Sequence, residues 1–452
     1  MNKTKFSIIS SYSKIRRGIG YKGQLPWHNK SDMIHFRKTT KHGHNRIIMG
    51  RKTWESLPNP LAGRENVVIT RSNISGIKTF QSLDQALNSV GPEIDETFVI
   101  GGEQLFGEAI QHRGCKKLIL SEIPEKEEYR YDTYFPTIPY HFRKTDTQTL
   151  QNGVKVFSYR NWHNPESEEY QYLDLVKRII KDGVREIGRN GNVRSIFADI
   201  QHRFDLRKGF PLLTTKKMPF KCIAKELFFF LRGQTDSNIL SKQNVNIWKD
   251  NTTREFLDGR GLSYPVGDMG PMYGWNWRHF GAKYRDCHTD YSGKGFDQLK
   301  WLLSEIKNNP ASRRLMMTTY DPGKVQESVL APCHGLITQF KVIKDKYLDC
   351  KTYQRSADIA LGYPFNIASY GLLTELVAKA SNLTPRFLTI TLGDAHIYES
   401  HIEQIKKCTE RLPLYFPQLK FNNFSSLETM KCQDLGLKKY SFYPTVKMKM
   451  VA

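Results

Sequence analysis

The stretch FVIGGEQLF, residues 98–106, reads as a short apolar strand, two glycines and the opening of a helix. Glycine at such a turn lets backbone approach a neighbour or a ligand closely, because no Cβ intervenes. Comparable junctions lie before it in the chain. IIMGRKTWESL (47–57) is a strand, a glycine and a helix start, where orphan backbone N–H groups can hold phosphate. ENVVITRS (65–72) puts Thr70 and Arg71 at a strand end, where a cation could hold a second phosphate. FSIISSY (6–12), KKLILSEI (116–123) and VKVFSYR (154–160) are further β-rich runs. Most are continuous apolar runs bounded by polar residues or glycine, the pattern of strands buried on both faces. Their alternation with helical segments predicts an α/β sheet from Lys5 to about Tyr159.

The pattern breaks at WHNPESEEYQ (162–171), which is polar and carries Pro165. The reading places one domain over 1–163, a short linker over 164–169 and a larger α+β domain over 170–452. The second domain opens on a long helix in YLDLVKRIIKDGVREI (172–187), with Leu173, Val176, Ile179 and Ile180 at helical spacing.

At 452 residues the chain is too long for one ordinary core. Hydrophobic residues at 39% and charged residues at 25% fit globular rather than disordered protein. The most apolar stretch, Leu227–Leu231, is cut off by Glu226 and Arg232, far short of the ~20 residues of a membrane span. MNKTKFSIISSYSKIRR, at the start, lacks the apolar core and cleavage site of a secretion signal. Seven scattered cysteines with no CxxC pair predict a reduced, cytoplasmic protein without a metal site. The net charge of +23 fits a generally basic surface, attraction of small anionic substrates, or nucleic-acid binding. No nucleic-acid module is present, so that last role is not the primary one.

GIGYKGQLPW (18–27) is a Gly-rich loop followed by a helical pattern in which Asp32 and Phe36 share a face. A carboxylate beside an aromatic ring suits a flat heterocycle with an amidine-like edge. In this order, GIGxxGxLPW, the acidic helix, GRKTWES, AGREN, VIGGEQLF and DTYFP resemble dihydrofolate reductase over residues 5–160. The resemblance implies a doubly wound sheet that binds NADPH and dihydrofolate. It assigns Asp32 to the pteridine and its protonation, Phe36 to packing on the folate, and Arg64 to the folate α-carboxylate. Ser121 supports the carboxylate where threonine is commoner. Trp27 and Leu25 belong to a mobile loop over the site. Ile19, Arg51, Thr53, Thr70, Gly101 and Gly102 fall to the cofactor, and Arg71 to its 2′-phosphate.

In the second domain, LAPCHGLITQF (330–340) sets Cys333 between a proline and His334. A cysteine needs a cationic neighbour to act as a nucleophile near neutrality. YQRSADIALGYPFNIASY (353–370) supplies Arg355 and Ser356, and SRRLMM (312–317) supplies Arg313 and Arg314. Guanidinium forks match phosphate oxygens. These motifs, with FPLLTTKK, KELFFFLRG, VNIW, GDMGPMYGWNWRHFGAKY and TLGDAHIYESHIEQ, resemble thymidylate synthase from Tyr170 to the C-terminus. Together the two halves resemble a bifunctional dihydrofolate reductase–thymidylate synthase.

The synthase resemblance implies methylation of dUMP by 5,10-methylenetetrahydrofolate, with Cys333 attacking C6. Arg189 and Arg355 hold the phosphate and help keep Cys333 ionised, and Arg313 and Arg314 reach the phosphate of a partner subunit in a homodimer. Ser356 hydrogen-bonds the nucleotide, and His396 and Tyr398 take the ribose. Glu226 relays protons, Tyr273 lies near the C5 proton, and Trp248 and Asp358 meet the folate. Asn366 can accept from uracil N3–H and donate to O4, favouring dUMP over dCMP. The sequence departs from the family at GRNGNVR (188–194), where small hydroxylated residues are usual. It departs again at Tyr443 and Tyr320, where histidine and tryptophan are frequent. A regulatory RNA-binding protein on enzyme folds, or a synthase with a degenerate reductase, are the alternative readings.

Overall fold

The computed structural model describes residues 5–188 and 190–451. The chain divides into two compact units, Met1–Pro165 and Glu166–Ala452.

The first unit is an eight-stranded sheet. Its strand order is Lys78–Phe80, Arg64–Ile69, Asn45–Gly50, Thr97–Gly101, Phe6–Ser13, Cys115–Ile123, Lys155–Asn161 and Phe142–Thr149. The first six run parallel, and Lys155–Asn161 pairs antiparallel with both Cys115–Ile123 and Phe142–Thr149. The apolar runs are the central strands: Ile8, Ile47, Ile48, Val67, Val99 and Leu118 have no exposed surface. Side chains fill both faces of the sheet, as its two core clusters show. Strand order reverses between Phe6–Ser13 and its neighbours, which makes the fold doubly wound. The strands Asn45–Gly50 and Thr97–Gly101 both end in glycine; a helix follows the first directly and the second after Gly102.

The second unit is α+β. Its six-stranded sheet is ordered Val184–Gly188, Gly191–Asp205, Thr384–Tyr398, Tyr347–Asp358, Ile337–Ile343 and Met316–Met317. Every pair is antiparallel except Tyr347–Asp358 with Thr384–Tyr398. A parallel pair requires a crossover, and the helix Gly362–Ala380 supplies it. That helix is buried on nearly all sides, so its long apolar run serves the core. Among the described residues no helix is long and apolar enough to cross a membrane.

Two sequence expectations differ from the structure here. The helix opening the second unit covers Tyr170–Asp182 and stops at Gly183, and Val184–Gly188 is a strand paired to Gly191–Asp205. Arg185, Glu186 and Ile187 are exposed there, so they lack the buried stripe that would continue a helix. The segment read as linker is also partly committed to the second unit. Glu169 has no exposed surface, and its carboxylate accepts from the N–H and hydroxyl of both Thr214 and Thr215.

Two candidate active sites

In the first unit, Asp32 lies in the first turn of the helix Lys30–Lys41, where a carboxylate is favoured by the helix dipole. The cap residue Asn29 accepts the Asp32 N–H at 3.0 Å. Asp32 lines a cavity of about 420 Å³ with Leu25, Pro26, Trp27, His28, Asn29 and Met33. Trp27 is buried against Tyr129 and Tyr131, and its indole N–H has no partner. Leu25 is 60% exposed. Phe36, one turn beyond Asp32, packs on the core of one sheet face. Ser121 is buried in the strand Cys115–Ile123, opposite Ser11 and Val156. Among the described residues its hydroxyl makes no hydrogen bond to Asp32.

Arg64 donates to Thr40 Oγ1 at 2.8 Å, and Thr40 in turn donates to the Phe36 carbonyl. The Arg64 Nε is buried without a partner. Burial and the nearby Arg37 cation both lower its proton affinity. An arginine in that state suits an incoming carboxylate.

The glycine junctions meet at one edge of the sheet. Gly101 has φ +150, and a Cβ there would lie 3.1 Å from Thr53 Oγ1. Gly101 and Gly102 are joined by a cis peptide bond. The helices Arg51–Glu55 and Glu103–Gln111 both begin without a side-chain cap, leaving backbone N–H groups for an anion. Arg51 pairs with Glu55 at 2.6 Å and approaches Ser72 at 3.4 Å. Thr70 Oγ1 accepts from Ser72 N. Arg71 is exposed and has no ion-pair partner among the described residues. Ile19 lies in the short strand Gly18–Gly20 and packs on the core.

In the second unit, Cys333 sits between the turn Pro322–Glu327 and the strand Ile337–Ile343. Its Sγ lies 3.4 Å from Tyr273 Oη, and its backbone N–H donates to the same oxygen at 3.1 Å. Tyr273 is buried and has φ +46, a rare backbone region for a bulky residue that is found most often at functional sites. It stacks on His334 at 4.4 Å and on Phe230 at 5.0 Å. His334 Nδ1 is 3.0 Å from Tyr370 Oη. That approach needs Gly335, at φ +65, because a Cβ there would collide with the Tyr370 hydroxyl. Burial pulls His334 down to about 3, so it is neutral.

Arg355 brackets the nucleophile. Its Nε and Nη2 donate to the carbonyls of Pro332 and Ala331, both at 2.9 Å. Its backbone N–H donates to the Cys333 carbonyl, and Nη1 is left for another acceptor. Burial pushes the Cys333 thiol above its ordinary value; the Tyr273 hydrogen bond and the Arg355 charge pull the other way without reversing it. The Arg355 charge thus acts toward the thiolate, as the sequence reading expects, while burial sets the net direction.

Glu226 is buried in the helix Phe220–Leu231. Burial raises its carboxyl to about 7, against the hydrogen bond from Trp248 Nε1 at 2.8 Å. Asn366 is buried, and its Oδ1 accepts from Gln354 Nε2 at 2.9 Å. Gln354 also donates to the Ser356 carbonyl, so one buried amide fixes both residues. His396 Nδ1 pairs with Asp394 at 3.0 Å, and its ring meets Tyr398 edge-on. Asp358 Oδ1 accepts from the N–H groups of Ala360 and Leu361.

Arg313 and Arg314 are exposed. Neither guanidinium is paired among the described residues, and the chain's own fold does not bring them to Cys333. Arg189 lies outside the described residues. Tyr443 is buried, and its N–H donates to the Thr214 carbonyl. Sequence reasoning missed Gln354, Tyr370 and Arg37. Gln354 alone carried a signal, since it shares a strand face with Ser356, two residues on.

A thymidylate synthase family model matches residues 170–452, and a dihydrofolate reductase family model matches residues 5–162. A bifunctional dihydrofolate reductase-thymidylate synthase of Paramecium tetraurelia is 40% identical, over 99% of both chains. The carrot enzyme of the same name is 39% identical over 96% of this chain and 93% of its own. That of Leishmania major is 35% identical over 98% of this chain and 95% of its own. By matches that span both units almost end to end, the chain belongs to the bifunctional dihydrofolate reductase–thymidylate synthase family.

Proposed function

We propose that the chain converts dUMP and 5,10-methylenetetrahydrofolate to dTMP and dihydrofolate in its second unit, and reduces that dihydrofolate to tetrahydrofolate with NADPH in its first. The observation that carries this reading is the cluster around Cys333: Tyr273 on its sulphur, Arg355 locked to its loop, and the same neighbourhood supplying Glu226 and His334.

Cys333 is the nucleophile toward C6 of the pyrimidine. Because burial favours its thiol, the proton must leave as the sulphur attacks. Tyr273 Oη is the contacting group, and Glu226, poised near neutrality, receives or returns a proton through water. Nη1 of Arg355 faces the phosphate, with Arg189, and with Arg313 and Arg314 from a second copy of the chain. Their exposure without carboxylate partners supports a homodimer through this unit. Asn366 reads the uracil edge with its amide held by Gln354, and Ser356, His396 and Tyr398 complete the nucleotide site. Trp248 and Asp358 border the folate.

In the first unit, Asp32 grips the pterin and promotes its protonation, Phe36 packs on it, and Arg64 takes the glutamate carboxylate. The glycine cradle of Gly101 and Gly102 against Thr53, with two uncapped helix starts, fits a pyrophosphate. NADPH would be held there by these residues with Ile19, Arg51, Thr70 and Arg71, and would supply hydride. All seven cysteines are free, in keeping with a cytoplasmic setting.

Two variants test the assignment. Cys333→Ala should cut dTMP formation by at least about 10⁴-fold and spare dihydrofolate reduction. Asp32→Asn should do the reverse, by about 10²–10⁴-fold. Unchanged dTMP formation in the first variant, or unchanged NADPH oxidation in the second, would refute the corresponding half.

A further inference from the structure

We propose that Asp236, Cys287 and His288 form a binding site for one zinc-class divalent cation in the second unit. A carboxylate oxygen of Asp236, the Cys287 sulphur and an imidazole nitrogen of His288 all lie within 4.8 Å of one another. The sulphur is 3.9 Å from His288 Nδ1 and 3.8 Å from Nε2. In a tetrahedral shell with ordinary zinc–ligand lengths, donor atoms stand about 3.5 Å apart. The three donors therefore need only a small inward rotation to share one ion.

The donor set is chemically selective. Thiolate with imidazole and one carboxylate matches zinc-class ions, and not magnesium or calcium, which take oxygen shells. The surroundings resemble the outer shell of a built metal site. Asp268 is fully buried, accepts the Cys287 backbone N–H at 2.7 Å, and is held by Tyr284 Oη at 2.5 Å and Gly270 N at 2.8 Å. It thus fixes the cysteine's backbone while adding negative charge beside the sulphur. Asp236 is held from the other side by the Asn238 N–H at 3.0 Å. Tyr284 stacked on Tyr291, with Trp275 edge-on to both, backs the loop. His288 is exposed, which leaves the fourth position for water.

On binding, the thiol gives its proton to solvent and the sulphur donates an electron pair to the ion. The ion then ties the loop at 282–291 to the segment at 235–238, which Tyr284 already joins through its hydroxyl to Thr235 Oγ1 at 2.9 Å and Asp268 joins through its carboxylate. Neither Cys287 nor His288 belongs to the machinery around Cys333. The absence of any CxxC pair hid this site from sequence reading, because its third ligand lies far away in the chain.

Cobalt(II) is the probe. The full-length reduced protein should bind one equivalent and develop a thiolate-to-cobalt charge-transfer band with tetrahedral d–d absorption, and zinc should displace it. Cys333→Ser should keep the band. Cys287→Ser should lose it, and Asp236→Asn and His288→Gln should weaken cobalt affinity by about tenfold or more. Zinc should raise the melting temperature of the parent protein and leave that of His288→Gln unchanged; His288 is exposed, so this variant does not depend on refolding the core. A protein that shows no charge-transfer band, or a band that survives Cys287→Ser or vanishes with Cys333→Ser, would overturn the proposal.

Discussion

Cys333 sits among side chains already bonded to one another, whereas Asp32 borders an open cavity and its neighbours await partners. Around the cysteine, Tyr273, Arg355, Trp248, Gln354 and His334 each hold a defined hydrogen bond or ring contact. Around the aspartate, the Trp27 N–H and the Arg64 Nε are unpartnered, and the cofactor edge is made of glycine and uncapped helix starts. The difference follows from the chemistry. A covalent step needs its groups positioned before substrate arrives. Hydride transfer between two bound molecules leaves the protein mainly to cradle both. Damage to the bonded cluster of the second unit should therefore act on rate, and damage to the glycine cradle of the first on binding.

Glu226→Gln gives the sharpest test of that contrast. It should lower the synthase kcat by about 10²–10⁴-fold with a smaller change in KM. The parent carboxyl titrates at about 7: it is protonated below that pH and ionised above it. The pH profile of synthase kcat/KM should show a limb near 7 that the variant lacks, and the reductase profile should be unchanged by the substitution. A variant whose profile keeps the limb would remove Glu226 from the proton path.

Gly101→Ala should have a smaller effect, and of the other kind. The new Cβ would press on Thr53 Oγ1 at 3.1 Å from a backbone angle that favours glycine. A cost of about 1–3 kcal/mol should appear as a roughly 10–100-fold rise in KM for NADPH, with synthase activity intact. If kcat fell instead with KM unchanged, the cradle reading of this edge would be wrong.

The strands and the order of the two units were legible because buried parallel strands write themselves as unbroken apolar runs, as in NRIIMG and FVIGG. The nucleophile was legible because Cys333 stands within a long motif whose arginine arrives nearby in the chain. What the sequence could not carry was anything set by three-dimensional summation. Arg355 adds positive charge beside Cys333, yet burial outweighs it and the thiol is pushed above its ordinary value. The helix after Tyr170 looked continuous through Val184–Ile187, since isolated apolar residues do not reveal whether they meet a core. Gln354, the amide that orients Asn366, looked like any polar strand residue.

The smallest expected effect separates the units by acid. Burial raises the Glu65 carboxyl, but hydrogen bonds from Arg46 at 2.6 Å and Lys78 at 3.0 Å outweigh it, so the net value is below the ordinary one. Arg46 is fully buried beside it. A group with a depressed folded value stabilises the fold above its unfolded value of about 4.3 and loses that contribution as pH falls through the folded one. Glu169 in the second unit is the opposite case. Burial among neutral donors raises it, and its hydrogen bonds from Thr214 and Thr215 only partly oppose this. Its contribution is complete below the unfolded value and fades as pH rises through the folded one. Glu65→Gln should therefore flatten the acid side of the first unit's unfolding curve, by on the order of 1 kcal/mol, while Glu169→Gln should flatten the neutral side of the second unit's. Thermal unfolding followed across pH, with NADPH and dUMP used to mark each unit's transition, measures both. Equal changes in both transitions from either variant would mean that the two carboxylates are not separate local switches.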